Sequence, residues 1–421
     1  MDDSVHTRNE SIMKTIDCGD LTIAFVTDFE LAWGDWGSGA NQRGSWWRPR
    51  VPAGFHALGH FGWRSYDNPS NRQAVVVAKD NSRQGDALRR PTSYQSVWGD
   101  WGSGSSGDGR FWQPVAPSGY KALGSVVLGS YDDNQGRIAQ AAPVMCVRED
   151  LVSEGAIGEL LYGDWGSGAD QDFSSYFINV MNNYPSGDGF TRLGVNSFVG
   201  VASYGKPTSS PVANVLKLRL PHPVAERHSP SAPVREQGIP VRDDQTPWRV
   251  RRSTKIPFLA VKDPDRNVDW KVQHSPFYTA EREECWRCTW VERNGTSNQS
   301  VLRPTTKVGW SKTNQQKFSV DTGIKVSAEA SVGVEGIAGA KVTTEFHLNF
   351  GFENSSSLTQ LQEDSVSREF KVDPGEWLAV WVLCNRLTIK RDDGSVVTRE
   401  EFTTQTLDFT TYPTSITKSF G

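Results

Sequence analysis

From Phe318 to Val334 the chain alternates without a slip. Phe318, Val320, Thr322, Ile324, Val326, Ala328, Ala330, Val332 and Val334 fall on one parity, and Ser319, Asp321, Gly323, Lys325, Ser327, Glu329, Ser331 and Gly333 fall between them. A period of two predicts a strand with one greasy and one wet face. The glycines of GIAGAK (336–341) supply a turn, after which Val342, Thr344, Phe346, Leu348, Phe350 and Phe352 resume the pattern opposite Thr343, Glu345, His347 and Asn349. The prediction is a hairpin over 318–352. Its first arm of about 17 residues would reach roughly 56 Å at ~3.3 Å per residue. Ordinary strands run about five or six residues, and a strand needs about 9–11 to cross a bilayer. Packed in a ring with copies of itself, the hairpin would turn Phe318, Val320, Ile324, Val326, Ala328, Val332, Val334, Val342, Phe346, Leu348, Phe350 and Phe352 toward lipid. Lys325, Glu329, Glu345 and His347 would line a wet lumen. Closure is what satisfies the backbone in lipid, so this use requires a homo-oligomer. The alternative is a long amphipathic hairpin with one face on the core of an ordinary β-sandwich. Further long strands are expected in GEWLAVWVLCNRLTIKRDDGSVVTREEFTTQTLDFTTY, with the hairpin turn at DDGS, Asp392–Ser395.

The first half has a different rhythm. GDWGSG occurs at Gly34–Gly39, Gly99–Gly104 and Gly163–Gly168. In the first two copies Trp47 and Trp112 follow at the same offset, each with a proline two further on. Phe55 and Tyr120, Gly59 and Gly124, and the tripeptides SYD at Ser65–Asp67 and Ser130–Asp132 also recur in step. The third copy has Tyr176 at the Trp position, closes late with GFTRLG at Gly189–Gly194, and has SYG at Ser203–Gly205. Each copy is too small to bury its own apolar face, so three related sheets packed about a pseudo-threefold axis are predicted, a β-prism rather than a propeller. The repeated glycines suit turns with positive φ. Two readings of the motif stand side by side. Asp35, Asp100 and Asp164 could hydrogen-bond sugar hydroxyls while Trp36, Trp101 and Trp165 stack on sugar faces. Alternatively the Asp satisfies backbone N–H groups of the turn and the Trp packs inward.

Composition narrows the function. The 421 residues carry 45 Lys and Arg against 49 Asp and Glu, a net charge of −4, so there is no basic field to hold nucleic acid. No run of 18 apolar residues predicts a spanning helix. The start, MDDSVHTRNESIMK, lacks a basic n-region and an apolar h-region, which predicts synthesis in the cytoplasm without a secretory signal, and release before any action at a target membrane. Five cysteines are few and odd in number. Cys285-x-x-Cys288 has no second pair, His56 and His60 lack counterparts in the second copy, and DPDRNVD at 263–269 lacks the glycine and glutamate of a calcium loop. No catalytic residue, metal or cofactor is nominated, and an enzyme is not expected. Prolines crowd residues 207–257, where an exposed linker or extended strap is expected. The basic cluster Arg249, Arg251, Arg252 and Lys255 follows; it could be a protease-cut site or an anionic-surface contact, though such a run is more often only a solvated segment.

WGDWGSGA, the SWWRP step and PAGFHALG resemble the vacuolar protein sorting-associated protein family of type sixty-two over roughly residues 18–220. That resemblance implies a three-part β architecture and a lectin-like surface role. From about Pro257 onward, PFYTAERE and TKVGWSKTNQQKFSVDTGIKVSAEASVGVEG resemble aerolysin-like β-pore-forming toxins, the epsilon-toxin and mosquitocidal-toxin group among them. The expected fold is all-β: a tail (1–17), a three-repeat β-prism-like recognition domain (18–220), a Pro-rich linker (221–249) and an elongated aerolysin-like module (250–421). The expected function is a pore-forming toxin or defence protein whose partners are a target-cell membrane and a glycan or receptor. The alternatives are a soluble lectin-like binding protein and an intracellular trafficking adaptor.

Overall fold

The computed structural model describes residues 13–181, 190–221, 230–234, 238–322, 332–334, 344–346, 363–413 and 415–416. The chain is all-β, with many separate antiparallel sheets, and divides into two compact units: Met1–Pro221 with Pro257–Pro276 and Val334–Glu345, and His222–Ile256 with Phe277–Gly333 and Phe346–Gly421.

The repeat unit is threefold. Each copy builds a three-stranded sheet with the same order: Phe29–Gly34, Ser45–Pro49 and Phe61–Trp63; Ser93–Gly99, Arg110–Val115 and Val126–Leu128; Ala156–Gly163, Ser174–Asn179 and Phe198–Val201. In every copy GDWGSG turns the first strand into the second, so that Gly34 pairs with Ser45, Gly99 with Arg110 and Gly163 with Ser174. A second trio of sheets is built around Leu21–Val26 and Val75–Asp80, Cys146–Arg148, and Asn214–Leu218.

The three copies close on one aromatic core. The Trp46 ring lies 4.8 Å from Phe111, and Phe111 lies 4.4 Å from Phe173, with Trp33, Trp98, Tyr162 and Phe198 around them. The third copy departs from the pattern and compensates for it. Ser175 stands where the others have Trp46 and Phe111, and Phe173 stands where they have Gly44 and Gly109. The centre is thus filled from two residues earlier in the chain, by the residue that immediately precedes the strand Ser174–Asn179. The stretch Pro257–Pro276 belongs to this unit. Phe258 packs edge-on to Phe25 at 5.0 Å, and the Thr27 hydroxyl donates to Asp269 at 3.5 Å. The calcium-like loop is the entry to the short helix Val268–His274, which is capped by Asn267 Oδ1 accepting from the Trp270 amide at 2.8 Å.

The second unit is built on four long antiparallel strands in the order Arg249–Pro257, Phe277–Arg293, Trp377–Lys390 and Val396–Tyr412. Both faces are covered along part of their length. Trp286, Cys288, Ala379, Trp381, Leu383 and Tyr412 cluster on one face, and Cys285, Val308, Val382 and Cys384 on the other. Toward one end, apolar cover gives way to ion pairs. Glu283 takes both Nε and Nη2 of Arg386 at 2.7 Å, Glu281 pairs with Lys390, Arg287 with Glu401 at 3.0 Å, and Arg251 with the buried Glu284 at 2.9 Å. The expected turn is present: Gly394 has φ +84° and Asp393 accepts from the Ser395 amide at 2.8 Å.

The basic cluster lies in a strand, with Arg249 exposed and Arg251, Arg252 and Lys255 half-buried. Arg249–Pro257 forms one edge of the sheet as described, with Lys255 on Asp392 at 3.2 Å. The proline-rich stretch ahead of it is docked where it is described. Pro230 and Pro233 carbonyls accept from Trp286 Nε1 and the Thr410 hydroxyl at 2.8 and 2.9 Å, and Gln245 bridges to Arg287. Asn294 is buried, and its side-chain amide donates to the Asn298 and Val372 carbonyls at 2.9 and 2.8 Å.

The predicted arm does not begin as a strand. Lys312–Thr322 is a helix, so Phe318 and Val320 are helical. The physical reason lies just upstream. Ser311 accepts from the Asn314 amide at 3.2 Å, a helix-starting cap, and the Gln315 side chain donates to the Trp310 carbonyl at 2.8 Å. Phe318 is buried edge-on against Trp310 at 5.7 Å, and Trp310 stacks on Phe402 at 4.5 Å. Farther along, Val332–Val334 and Thr344–Phe346 pair as a two-stranded sheet, which includes Glu345. Ile324, Lys325, Val326, Ala328, Glu329, Val342, His347, Leu348, Phe350 and Phe352 lie outside the described residues. Replacing the helix anchor, Phe318→Ala, should lower stability by about 3 kcal/mol, read as a lower urea midpoint. An unchanged midpoint would show that the ring does not hold the helix.

Candidate functional site

The three GDWGSG loops meet at one place and interlock. The Trp36 carbonyl accepts from the Ser106 amide at 2.7 Å, the Trp101 carbonyl from Asp170 at 2.8 Å, and the Trp165 carbonyl from Asn41 at 2.7 Å. Copy one thus receives from copy two, two from three, and three from one, closing a ring. The approach demands glycine. Gly37, Gly102 and Gly166 have φ of +83°, +80° and +86°, and a Cβ on Gly37 would lie 3.3 Å from the Gly104 carbonyl oxygen.

Within each loop the aspartate is buried and occupied. Asp35, Asp100 and Asp164 are 1%, 3% and 1% exposed. Their Oδ1 atoms accept from the amides of Gly44, Gly109 and Phe173 at 3.0, 2.8 and 2.9 Å, while their own amides donate back to the carbonyls of those three residues. Ser38 and Ser103 hydroxyls donate to the second oxygen in the first two copies at 3.5 and 3.4 Å. The tyrosine of each SYD or SYG completes the unit. Tyr66, Tyr131 and Tyr204 stack on Trp36, Trp101 and Trp165 at 4.9, 4.9 and 4.7 Å, and each feels the charge of its copy's aspartate, Asp35, Asp100 or Asp164. Burial pushes the Asp35 and Asp164 carboxyls up, against the hydrogen bonds that pull them down. Burial, reinforced by the carboxylate, pushes Tyr66 and Tyr204 up to about 12.

This geometry decides what the apex can offer a ligand. A sugar hydroxyl could reach these carboxylates only by displacing internal partners. One face of each half-buried indole already lies on tyrosine. What remains is the rest of the Trp–Tyr pairs, with Arg43 5.5 Å over Tyr66 and Arg110 5.2 Å over Trp101. The surface is therefore aromatic and of mixed charge, because the exposed carboxylates of Asp108 and Asp170 act on Tyr131 and that of Asp172 acts on Tyr204. The tyrosines recur in all three copies, and that recurrence was the signal for their role. The backbone ring has no such signal, because an amide donor can belong to any residue.

Elsewhere in this unit, Asp20, Asp86 and Asp150 come one from each repeat and converge on a single guanidinium. Arg148 pairs with Asp86 and Asp150 at 2.7 Å each, and with Asp20. The equivalent positions two residues before Asp20 and Asp86 are Cys18 and Gln84, so only the third copy supplies the neutralising charge. His60 is fully buried, with Nδ1 accepting from the Val127 amide at 3.1 Å, and burial beside Arg48 lowers it to about 3.

Two outcomes follow from the geometry. A Cβ on Gly99 would fall 2.3 Å from the Trp101 ring. Gly99→Ala should therefore cost about 1–3 kcal/mol, and most of that penalty should vanish in a Trp101→Ala background when the double-mutant cycle is measured in urea. His60 is held neutral in the fold but takes a proton in the unfolded chain below about pH 6.5, so its effect destabilises the protein progressively as pH falls from about 6.5 toward 3. The contribution is roughly 2–3 kcal/mol by pH 4.5. The raised carboxyls of Asp35 and Asp164 act in the opposite sense, so the comparison with His60→Gln isolates the imidazole. The variant should lose less stability than the parent between pH 7.5 and 4.5, and equal losses would remove His60 as the cause.

Two family models match separate stretches of the chain. Residues 252–414 match the family described as Insecticidal Crystal Toxin, P42. No curated protein matches the chain. Among solved structures, GNIP1Aa from Chromobacterium piscinae aligns at 25% identity over 46% of this chain and 37% of its own, with a TM-score of 0.38. The matched part is thus little more than a third of that protein. Cry35Ab1 aligns at 10% identity over 94% of this chain and 90% of its own, with a TM-score of 0.37. Residues 6–221, more than half of the 421, match the family described as vacuolar protein sorting-associated protein 62, and the chain belongs to that family.

Proposed function

We propose that this protein is a two-part toxin. The repeat unit recognises a glycan or membrane receptor on a target cell through the aromatic apex. The C-terminal part then oligomerises and inserts residues 318–352 as a β-barrel, after the protein has left the cell that made it. One observation carries the reading: the segment that matches an insecticidal crystal toxin family contains the alternating stretch 318–352, with Val332–Val334 and Thr344–Phe346 paired on either side of its turn. The family of the repeat unit contributes a threefold surface and does not name the ligand.

The test is dye release by the full chain from phospholipid vesicles and from vesicles prepared from insect gut membranes. Release is expected from at least one of these. Phe346→Glu should abolish it while leaving binding to the same vesicles intact, because a charge on the lipid side of a barrel strand costs about 2–4 kcal/mol near the midplane. Binding without release in the parent protein, on every membrane tried, would leave a lectin-like binding protein as the better reading.

A further inference from the structure

Five cysteines are present and all are buried thiols. Two of them face each other. The register of the two central strands sets Cys285 directly opposite Cys384, and both lie in the same buried cluster, where the Cys384 thiol donates to the Val382 carbonyl at 3.8 Å. Residues directly opposed on an antiparallel pair have Cβ atoms about 4.5–5.5 Å apart, close to the ~3.5–4.5 Å that a disulfide needs. The other cysteines are placed otherwise. Cys288 lies among Trp286, Trp381 and Tyr412 on the opposite face, with its thiol donating to the Trp290 carbonyl at 3.5 Å. Cys18 and Cys146 belong to the repeat unit, where Cys18 donates to the Ile16 carbonyl and Cys146 pairs in register with Arg89.

We propose that Cys285 and Cys384 are a latent cross-strand disulfide, closed by a low-molecular-weight disulfide such as oxidised glutathione when the protein folds or opens in an oxidising medium. The chemistry is balanced. The Cys384 thiolate attacks one sulfur of glutathione disulfide, forming a mixed disulfide and expelling one glutathione thiolate. Cys285 then gives its proton to solvent, its sulfur attacks the Cys384 sulfur, and the second glutathione leaves. Two protein thiols are oxidised and one glutathione disulfide is reduced to two thiols. Attack by Cys285 first would balance in the same way. The neighbouring Cys285 thiol and Arg287 favour the thiolate at Cys384, while burial and Glu401 oppose it. Burial under Val308, Val366, Leu407 and Trp248 keeps the pair from reacting while the sheet stays shut. The bond therefore forms as the strands pair or when they part. It would staple Phe277–Arg293 to Trp377–Lys390 and leave the whole of 318–352 inside the loop that it closes, untethered.

The experiment uses the full chain, refolded from urea either in a glutathione buffer rich in the oxidised form or in dithiothreitol. Free thiols are titrated in denaturant, and links are mapped by digestion without reduction. Five thiols are expected after dithiothreitol and three after glutathione, with one linked peptide pair holding Cys285 and Cys384 and a higher urea midpoint for the oxidised protein. Cys285→Ser should abolish the link and Cys288→Ser should leave it unchanged. If Cys285→Ser fails to fold, Cys288→Ser and the parent map decide the matter alone. Five thiols under both conditions would overturn the proposal. So would a link through Cys18, Cys146 or Cys288, or glutathione left attached to Cys384.

Discussion

The repeat unit depends on three backbone hydrogen bonds that no single repeat can make alone. Each GDWGSG loop accepts at its tryptophan carbonyl from the loop of the next copy, and the third returns to the first. A closed ring of this kind fixes the three sheets against one another at the point where their aromatic side chains must meet. The centre tolerates change in a way that the ring does not. Trp46, Phe111 and Phe173 come from two different positions of the repeat, yet fill one space, because close packing requires volume at a place and not a residue at a register. The loops keep Gly, Asp, Trp and Gly in every copy because each has a specific task. The first glycine leaves room for the indole, the aspartate ties the ends of the turn, the tryptophan stacks on tyrosine, and the next glycine takes a positive φ.

The second unit solves a different problem, that of register. Strands as long as Phe277–Arg293 and Val396–Tyr412 can slip, and a slip of one residue would turn every side chain to the wrong face. The cross-strand pairs oppose this. Glu283 stands across from Arg386, and Arg386 from Glu401, so a shift of two residues would strip these charges of their partners. The buried Glu284 is the most demanding member. It is 1% exposed and is met by Arg251 and Arg282, whose own charge is disfavoured by burial. Buried ion pairs of this kind add little net stability, yet are costly to break, which suits them to define one alignment among several.

Much of this was legible in the sequence, and the limits have physical causes. The three repeats, the positive-φ glycines, the DDGS turn and the long C-terminal strands follow from local chemistry, and local chemistry is what a sequence displays. Tyr66, Tyr131 and Tyr204 were visible as a recurring tripeptide, but their task depends on a stack with tryptophans about thirty to forty positions away. The ring of amide donors, Ser106, Asp170 and Asn41, has no common side chain to recognise. Cys285 and Cys384 become a pair only once a register is known. The acids on Arg148 sit at nearly equal offsets before each GDWGSG, a regularity that goes unnoticed until one guanidinium binds all three.

The segment starting at Lys312 shows why periodicity alone can mislead. Its polar stretch KTNQQK can enter a helix once Ser311 caps it, whereas the alternation from Phe318 onward suits a strand. Both patterns share residues 318–322, and tertiary contact decides between them. In the structure Phe318 completes a column with Trp310 and Phe402, and its burial favours the helix. The insertion proposed above would need the same ring on a lipid-facing strand, so the helix must unwind and the column must open before the arm can extend to its full length. The aromatic column therefore opposes deployment in water by roughly the cost of exposing one phenyl ring, about 2–3 kcal/mol, plus the cap and backbone bonds of the helix. A barrier of that size is small beside the gain from burying a long apolar face in lipid and closing a ring of strands. Under the proposed insertion it would be the term that holds residues 312–322 as a helix in water.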